Sequence, residues 1–354
     1  MQEFFETPLA PLTTLRLGGP AQRLVTADTD DLVVEETRRA DEAGSPLLVI
    51  GGGSNLVVGD KGFDGTALRV ATRGVRLDGT RLEAAAGEVW AGLVARSVDA
   101  GLAGIECLAG IPGSVGATPI QNVGAYGQEV SSVIDEVVAY DRAERRVVTL
   151  SNDACRFSYR SSVFKQHPER YVVLRVRFAL EDAGGLSGPL KYAETARALG
   201  VAPGERVPLA GARDTVLRLR SGKGMVLDPE DHDTWSAGSF FTNPVLDPGQ
   251  YEDFLGRVRA RLGDEAAPPA YPEGPEGGGR MKTSAAWLID KAGFTKGYGT
   301  GPARLSTKHT LALTNRGDAT TDDLLALARE IVAGVYDAFG IVLVNEPVMV
   351  GVAL

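Results

Sequence analysis

The chain has 354 residues, a formal net charge of −9 at neutral pH and only two cysteines. That length asks for two or three domains with a sizeable core, and an acidic chain without clustered Lys and Arg argues against a surface for nucleic-acid phosphates. Cys107 and Cys155 are too few for a disulfide framework and read as packing thiols in a reducing compartment.

The first residues, MQEFFETPLAPLTTLRLGG, lack a basic stretch followed by an apolar one, and no apolar run reaches the roughly 18 residues of a membrane span, so a cytoplasmic protein is expected. His167, His232 and His309 are too far apart for a local metal motif, and no metal is expected. Residues 30–50 read as a helix then a buried strand: Leu32, Val33, Glu36 and Arg39 carry a mixed helical pattern, Gly44 can stop it, and LLVI leads into Gly51. The loop GGGSNLVV follows at 51–58. Over 88–100, Trp90, Leu93, Val94, Ser97 and Val98 recur at helical spacing, and Gly101 is a plausible stop.

A second glycine-rich segment, GIECLAGIPGSVGATPIQNVGAYGQEV, occupies 104–130 and has almost no side chains with which to build a core. From Val133 the period becomes two, through EVVAYD, RRVVTL and YVVLRVRFAL, with Val172, Leu174, Val176 and Phe178 on one face; this predicts antiparallel sheet. Residues 184–190 are a turn-rich break, 212–219 a short helix, and a domain boundary is expected near 205. PPAYPEGPEGGGR at 268–280 excludes a regular helix or a central strand and reads as a loop or linker. The last helix opens with Thr320 and Asp323 as a capping box, presents Leu324, Ala328, Ile331, Val335 and Phe339 on one face, and ends at Gly340. IVLVNEPVMVGVAL then reads as a strand carrying Glu346 in an apolar run. No repeat of fixed period is present.

GGGSNLVV matches neither common nucleotide fingerprint. Three glycines nonetheless let the N–H groups of Gly52, Gly53, Ser54 and Asn55 converge on a pyrophosphate, and a tight turn after a strand is the other reading. In the second segment Gln121 and Asn122 can offer amides to a heteroaromatic edge, or the loop is structural; long loops of this kind are commonly functional. An Arg in an apolar site, such as Arg160 in FSYRSSVFK, can hold a carboxylate bidentately, and a Ser presented by glycine, such as Ser239 in SAGSFFTNP, can deliver a proton. Taken alone, Arg160 reads rather as a surface or salt-bridge residue and Ser239 as a helix cap or turn residue, and Glu346 is open to reading as a paired strand carboxylate.

Together these strings resemble the UDP-N-acetylenolpyruvoylglucosamine reductase (MurB) family, in the subgroup with an extra tyrosine loop. TTLRLGG, GGGSNLVV, the 104–130 segment, CRFSYRSSVFK, AGSFFTNP, KTSAAWLIDKAG and NEPV stand in the family's order over nearly the whole chain. The resemblance implies an α+β protein. Residues 1–205 would be a two-lobed FAD-binding region of PCMH or vanillyl-alcohol-oxidase type, with lobes of about 1–70 and 71–205. Residues 206–354 would be a smaller α/β substrate-binding domain whose last strand returns toward the FAD region. It implies non-covalent FAD, consistent with the absence of His or Cys in and around 51–58, and NADPH as hydride donor. FAD would be held by Gly51, Gly52, Gly53, Ser54, Asn55, Ile111, Pro112, Gly113, Ser114, Gly116, Gln121, Asn122, Gly124, Ala125, Tyr126 and Gly127.

The resemblance further implies reduction of UDP-N-acetylglucosamine enolpyruvate to UDP-N-acetylmuramate in peptidoglycan precursor synthesis, with a flavin oxidase of the same fold as the alternative. Hydride would pass from flavin N5 to C3 of the enolpyruvyl ether. Arg160 and Glu346 would stabilise the enolic intermediate, and Ser239 would protonate C2. Tyr159, Tyr192, Lys223, Asn243, Lys282 and Ser284 would contact the substrate, and Thr242 stands where relatives often carry lysine. The partner is this small molecule, with no nucleic acid or membrane, and a monomer is expected.

Overall fold

A computed structural model describes residues 2–273 and 278–354. The chain forms two compact units: Met1–Thr7, Ala21–Gly53 and Phe63–Val226 make the first, and Pro8–Pro20, Ser54–Gly62 and Leu227–Leu354 the second.

The first unit contains a four-stranded sheet in the order Gln2–Pro8, Pro20–Ala27, Phe63–Val70, Leu47–Ile50, and the last three strands run parallel. Parallel neighbours need a crossover, supplied by the helix Asp30–Ala43. Its ends follow local chemistry: the Thr29 side chain accepts from Leu32 N, and Gly44 takes the left-handed conformation at φ 61°. The same unit holds a five-stranded antiparallel sheet in the order Arg146–Ser151, Ile134–Asp141, Tyr171–Ala179, Arg81–Ala85, Val75–Asp78. Val172, Leu174, Val176 and Phe178 are buried, as their spacing predicts, while Arg175 and Arg177 on the other face pair with Glu83. Trp90, at the start of the helix Trp90–Asp99, packs on Phe178 at 6.0 Å and donates from Nε1 to Leu108 O at 3.0 Å.

The helix Leu209–Gly222 buries Ala212 and Val216 in this core, so the first unit runs to Val226 and not to about 205. A change of composition marked the earlier position; the buried face of the helix decides the later one. Cys107 and Cys155 are also buried here. Desolvation pushes both thiols up to about 12, and at Cys107 the Glu106 carboxylate adds to it. Because the thiolate is the reactive form, a disulfide thiol reagent at pH 8 is expected to titrate essentially neither cysteine in the native protein and both after unfolding. Rapid labelling of the native protein would contradict this burial.

In the second unit the helix Thr321–Phe339 carries the capping box in both directions between Thr320 and Asp323. It buries Leu324, Ala328, Ile331, Val335 and Phe339, and Gly340 closes it at φ 71°. Phe254, from the helix Pro248–Leu262, packs edge-on against Phe339 at 6.0 Å and Trp287 at 6.2 Å. The TTLRLGG strap belongs to this unit: Leu15 and Leu17 enter its core, Thr14 Oγ1 donates to Ser236 O at 2.6 Å, and Asn315 Nδ2 donates to Leu15 O at 3.0 Å.

Two segments differ from their sequence reading. Of the expected long C-terminal strand only Val348–Val350 is one, paired in parallel with Leu56–Val58; Pro347, which has no N–H to donate, stands just before it. Ala270–Pro272, within the proline-rich stretch, is an edge strand against Met281–Thr283, a place where proline is tolerated, so the segment is a hairpin arm and not a linker. Residues 274–277 of that stretch lie outside the described residues. No helix among the described residues is long and apolar enough to cross a membrane.

Candidate active site

In the first unit the two glycine-rich segments meet backbone to backbone. A Cβ on Gly52 would lie 2.5 Å from Gly113 Cα, and one on Gly51 would lie 2.3 Å from Ser114 Oγ. The second segment is fixed from its other side by Trp90 N donating to Gly113 O at 3.1 Å, Val115 N to Glu88 O at 2.9 Å and Gly116 N to Ala86 O at 2.9 Å. Ser114 and Gly116 are buried, whereas Ile111 and Pro112 are half-buried. The wall formed by Gly51–Gly53 and 111–116 is thus closely packed and pinned by backbone hydrogen bonds, and its glycines suit the close approach of a large flat ligand with a pyrophosphate.

Gly124–Ala125 and Gln128–Glu129 form a hairpin turned by Tyr126 and Gly127, at φ 49° and 82°. The turn carries Tyr126 edge-on to Tyr192, 5.4 Å between centroids, and Lys223 Nζ lies 5.5 Å from the Tyr126 ring centroid. Lys223 pairs with Glu194 at 2.7 Å; burial lowers its pKa and this hydrogen bond raises it, with a net rise. Three residues read separately from sequence, Tyr126, Tyr192 and Lys223, are therefore one cluster.

Arg160 lies along the same hairpin. Its Nη2 donates to Gly124 O at 2.8 Å, Nη1 to Asn122 O at 3.4 Å, and the guanidinium is 5.4 Å from the Tyr159 ring centroid. Its backbone is left-handed, φ 52°. Asn122 is buried and its carboxamide is engaged: Nδ2 donates to Glu129 Oε2 and Ser158 O, each at 3.1 Å, and Oδ1 accepts from Ser131 N at 3.1 Å. That amide braces the loop. Gln121, beside it, is half-buried.

Residues that sequence reading missed support the same wall. Glu106 is fully buried and accepts from Gly104 N and Gly188 N, each at 2.6 Å, while Gln128 Oε1 accepts from Cys107 N at 2.8 Å. Arg220 donates from Nη2 to Met225 O at 2.8 Å, and its Nε has no hydrogen-bond partner among the described residues. Burial pulls its guanidinium down to about 10, against a smaller opposite effect of Tyr126. No carboxylate among the described residues pairs with this desolvated cation. Only its place three residues before Lys223 could have signalled it.

In the second unit, Gly238 at φ 73° presents Ser239, and Phe240 and Phe241 behind it are buried edge-to-face at 5.1 Å. Phe240 N donates to Leu311 O at 2.8 Å, and Glu346 N to Phe240 O at 2.9 Å. Thr242 N donates to Val344 O at 3.0 Å and its hydroxyl to the same oxygen at 3.4 Å. Ser239 and Glu346, 107 positions apart by their numbers, so lie on adjoining backbone. The later part of GGGSN joins them: Asn55 Nδ2 donates to Glu346 O at 3.4 Å and Val348 N to Asn55 O at 2.9 Å. Ser54, its neighbour, is half-buried.

Asn243 Oδ1 accepts from Ala285 N at 3.0 Å, and Ser284 Oγ caps the helix Ala285–Ala292 by accepting from Trp287 N at 3.3 Å. Both side chains hold the start of that helix. Lys282 lies on the neighbouring strand, opposite Val245. Among the described residues no group of His, Cys, Asp and Glu could hold a metal ion.

Comparison with known proteins follows the same division. Residues 228–350 match the model of the UDP-N-acetylenolpyruvoylglucosamine reductase C-terminal domain, and residues 21–150 match an FAD binding domain. UDP-N-acetylenolpyruvoylglucosamine reductases of Streptomyces avermitilis and Streptomyces coelicolor are 74% and 73% identical over 354 residues, covering 100% of this chain and 96% and 92% of their own. The crystal structure of the corresponding reductase of Thermus caldophilus superposes with a TM-score of 0.66 at 26% identity, covering 99% of this chain and 98% of that one.

Proposed function

The chain belongs to the UDP-N-acetylenolpyruvoylglucosamine reductase family, and from that membership we propose that Arg160, Ser239 and Glu346 carry its substrate half-reaction. The protein is an FAD-containing, NADPH-dependent oxidoreductase of peptidoglycan precursor synthesis that reduces UDP-N-acetylglucosamine enolpyruvate to UDP-N-acetylmuramate. The oxidase reading of the same fold is not favoured. Bound FAD supplies the two-electron relay between NADPH and the enolpyruvyl carbon.

The chain's own residues do the rest. Gly51, Gly52, Gly53, Ser54 and Asn55 would turn backbone N–H groups toward the pyrophosphate, and Ile111, Pro112, Gly113, Ser114, Gly116, Gln121, Gly124, Ala125, Tyr126 and Gly127 would line the ring system. Asn122 would act by bracing. Attachment would be non-covalent, in keeping with the lack of His or Cys at 51–58. Tyr159, Tyr192, Lys223 and Lys282 would receive the sugar nucleotide, with Asn243 and Ser284 fixing the helix start beside it. Arg160 and Glu346 would stabilise negative charge as it develops on the substrate carboxylate, where a preorganised donor contributes about 3–4 kcal/mol. Ser239 would give its proton to C2. The chain would act as a cytoplasmic monomer.

One observation supports the assignment of Ser239 and Glu346: the Glu346 N to Phe240 O bond keeps the proposed acid and carboxylate on adjoining backbone, beside the isolated bridge between Phe241 and Asn345. Stopped-flow spectrophotometry tests the whole reading. NADPH should bleach the flavin absorbance, and anaerobic addition of the enolpyruvyl sugar nucleotide should restore it within the turnover time. Restoration by oxygen at that rate, with none by the sugar nucleotide, would contradict the reading.

A further inference from the structure

Tyr140 sits in the strand Ile134–Asp141 of the first unit, an inner strand next to the edge of its five-stranded sheet. Its side chain is 1% exposed, yet its hydroxyl has no hydrogen-bond partner among the described residues. Buried polar groups in folded proteins are satisfied, and an exception asks what satisfies it. The residue borders a cavity of about 240 Å³ lined also by Arg38, Asp41, Glu42 and Arg145.

The two cations and two carboxylates lining the cavity cancel formally, but Arg142, outside the lining, takes one of the carboxylates and leaves a cation in excess. Arg142 takes Asp41, with Nη2 at 2.5 Å and Nε at 3.0 Å from the same carboxylate oxygen. Arg38 and Glu42, one helical turn apart, offset each other at 3.6 Å with both side chains more than half exposed. Arg145 remains, exposed at the turn between the strands Ile134–Asp141 and Arg146–Ser151, with φ 53° and no carboxylate partner among the described residues. One uncompensated cation and one unpaired hydroxyl donor thus line a common space. Desolvation is the chief influence on the phenol and raises its pKa, and the four charged side chains of the cavity oppose one another around it. The hydroxyl therefore keeps its proton at neutral pH and is available as a donor.

We propose that this cavity is a binding site for a small oxyanion, a phosphate or carboxylate group, with one oxygen accepting from the Tyr140 hydroxyl and another from the Arg145 guanidinium. Charge-assisted hydrogen bonds of this kind are the strong ones, and arginine suits both anions. The site does not use the residues assigned to the reductase reaction, so its failure and failure of that assignment are separable.

The test titrates the FAD-loaded full chain with sodium phosphate, and separately with sodium acetate, at constant ionic strength, following the unfolding temperature. Two variants accompany it: Tyr140→Phe, which removes only the hydroxyl, and Arg145→Asn, chosen because asparagine tolerates a positive φ. Saturable stabilisation of the wild type, with an apparent affinity at least fivefold weaker in each variant and NADPH-dependent turnover without added anion unchanged, is expected. Stabilisation by phosphate alone would identify a phosphate group, and stabilisation by acetate a carboxylate. A response to both anions identical in the wild type and variants, as phosphate bound only in the substrate site would give, overturns the proposal. So does the absence of any response in the wild type, which would leave the hydroxyl to water.

Discussion

Ser239→Ala is expected to leave reduction of the flavin by NADPH within about twofold of wild type while oxidation by the enolpyruvyl substrate slows on the order of 10³-fold, within the range of general acid catalysis. The asymmetry follows from the geometry. Ser239 is presented at a left-handed glycine between buried anchors, and the substitution removes one oxygen and none of the atoms of the backbone bonds that Phe240 makes to Leu311 and Glu346. In the proposed scheme only the step that protonates carbon uses that hydroxyl. Single-turnover measurement of each half-reaction decides the matter. An equal fall in both would mean that Ser239 holds structure and not the transferable proton.

Gly52→Ala should strip the protein of flavin. The added methyl would lie 2.5 Å from Gly113 Cα, 2.9 Å from Gly113 C and 3.1 Å from Ser114 N, all backbone atoms that no side-chain rotation can move aside. Relieving such a contact costs about 1–3 kcal/mol. If it is relieved by parting the two loops, FAD affinity falls roughly 10- to 100-fold, at 1.4 kcal/mol for each factor of ten. Equilibrium titration of the apoprotein with FAD measures this directly. Gly256→Ala, in the helix Pro248–Leu262 where the methyl meets open space, is the control: it should bind FAD normally and gain about 0.5–1 kcal/mol in stability. Wild-type FAD affinity in Gly52→Ala would rule out the close approach of the loops.

The ordered motifs made the cofactor, substrate class and reaction legible before any coordinates, since they are spread over nearly the whole chain and each constrains a different segment. Secondary structure was legible where its cause is local. The Thr320 and Asp323 box, the Gly44 and Gly340 stops and the alternation from Val172 to Phe178 act within a few residues, and each appears as expected. The C-terminal strand was overestimated for a related reason. Apolar content alone does not distinguish a paired strand from an extended segment: only residues 348–350 form a strand, against Leu56–Val58, while Asn345 makes an isolated bridge to Phe241.

Composition and periodicity by themselves determined most of the helix, sheet and glycine-rich loop segments, and the family's motifs named the residues proposed for the site. Tertiary structure alone decided how those residues are used. Asn122 spends its amide on Glu129, Ser158 and Ser131; Tyr126, Tyr192 and Lys223 form one cluster; Glu346 is set by Phe240; and the first unit runs to Val226. The physical reason is range. A cap or a period is satisfied by neighbours along the chain, whereas a carboxamide's three hydrogen bonds, a helix's buried face or a strand's partner is chosen by whatever the folded chain brings back from many residues away.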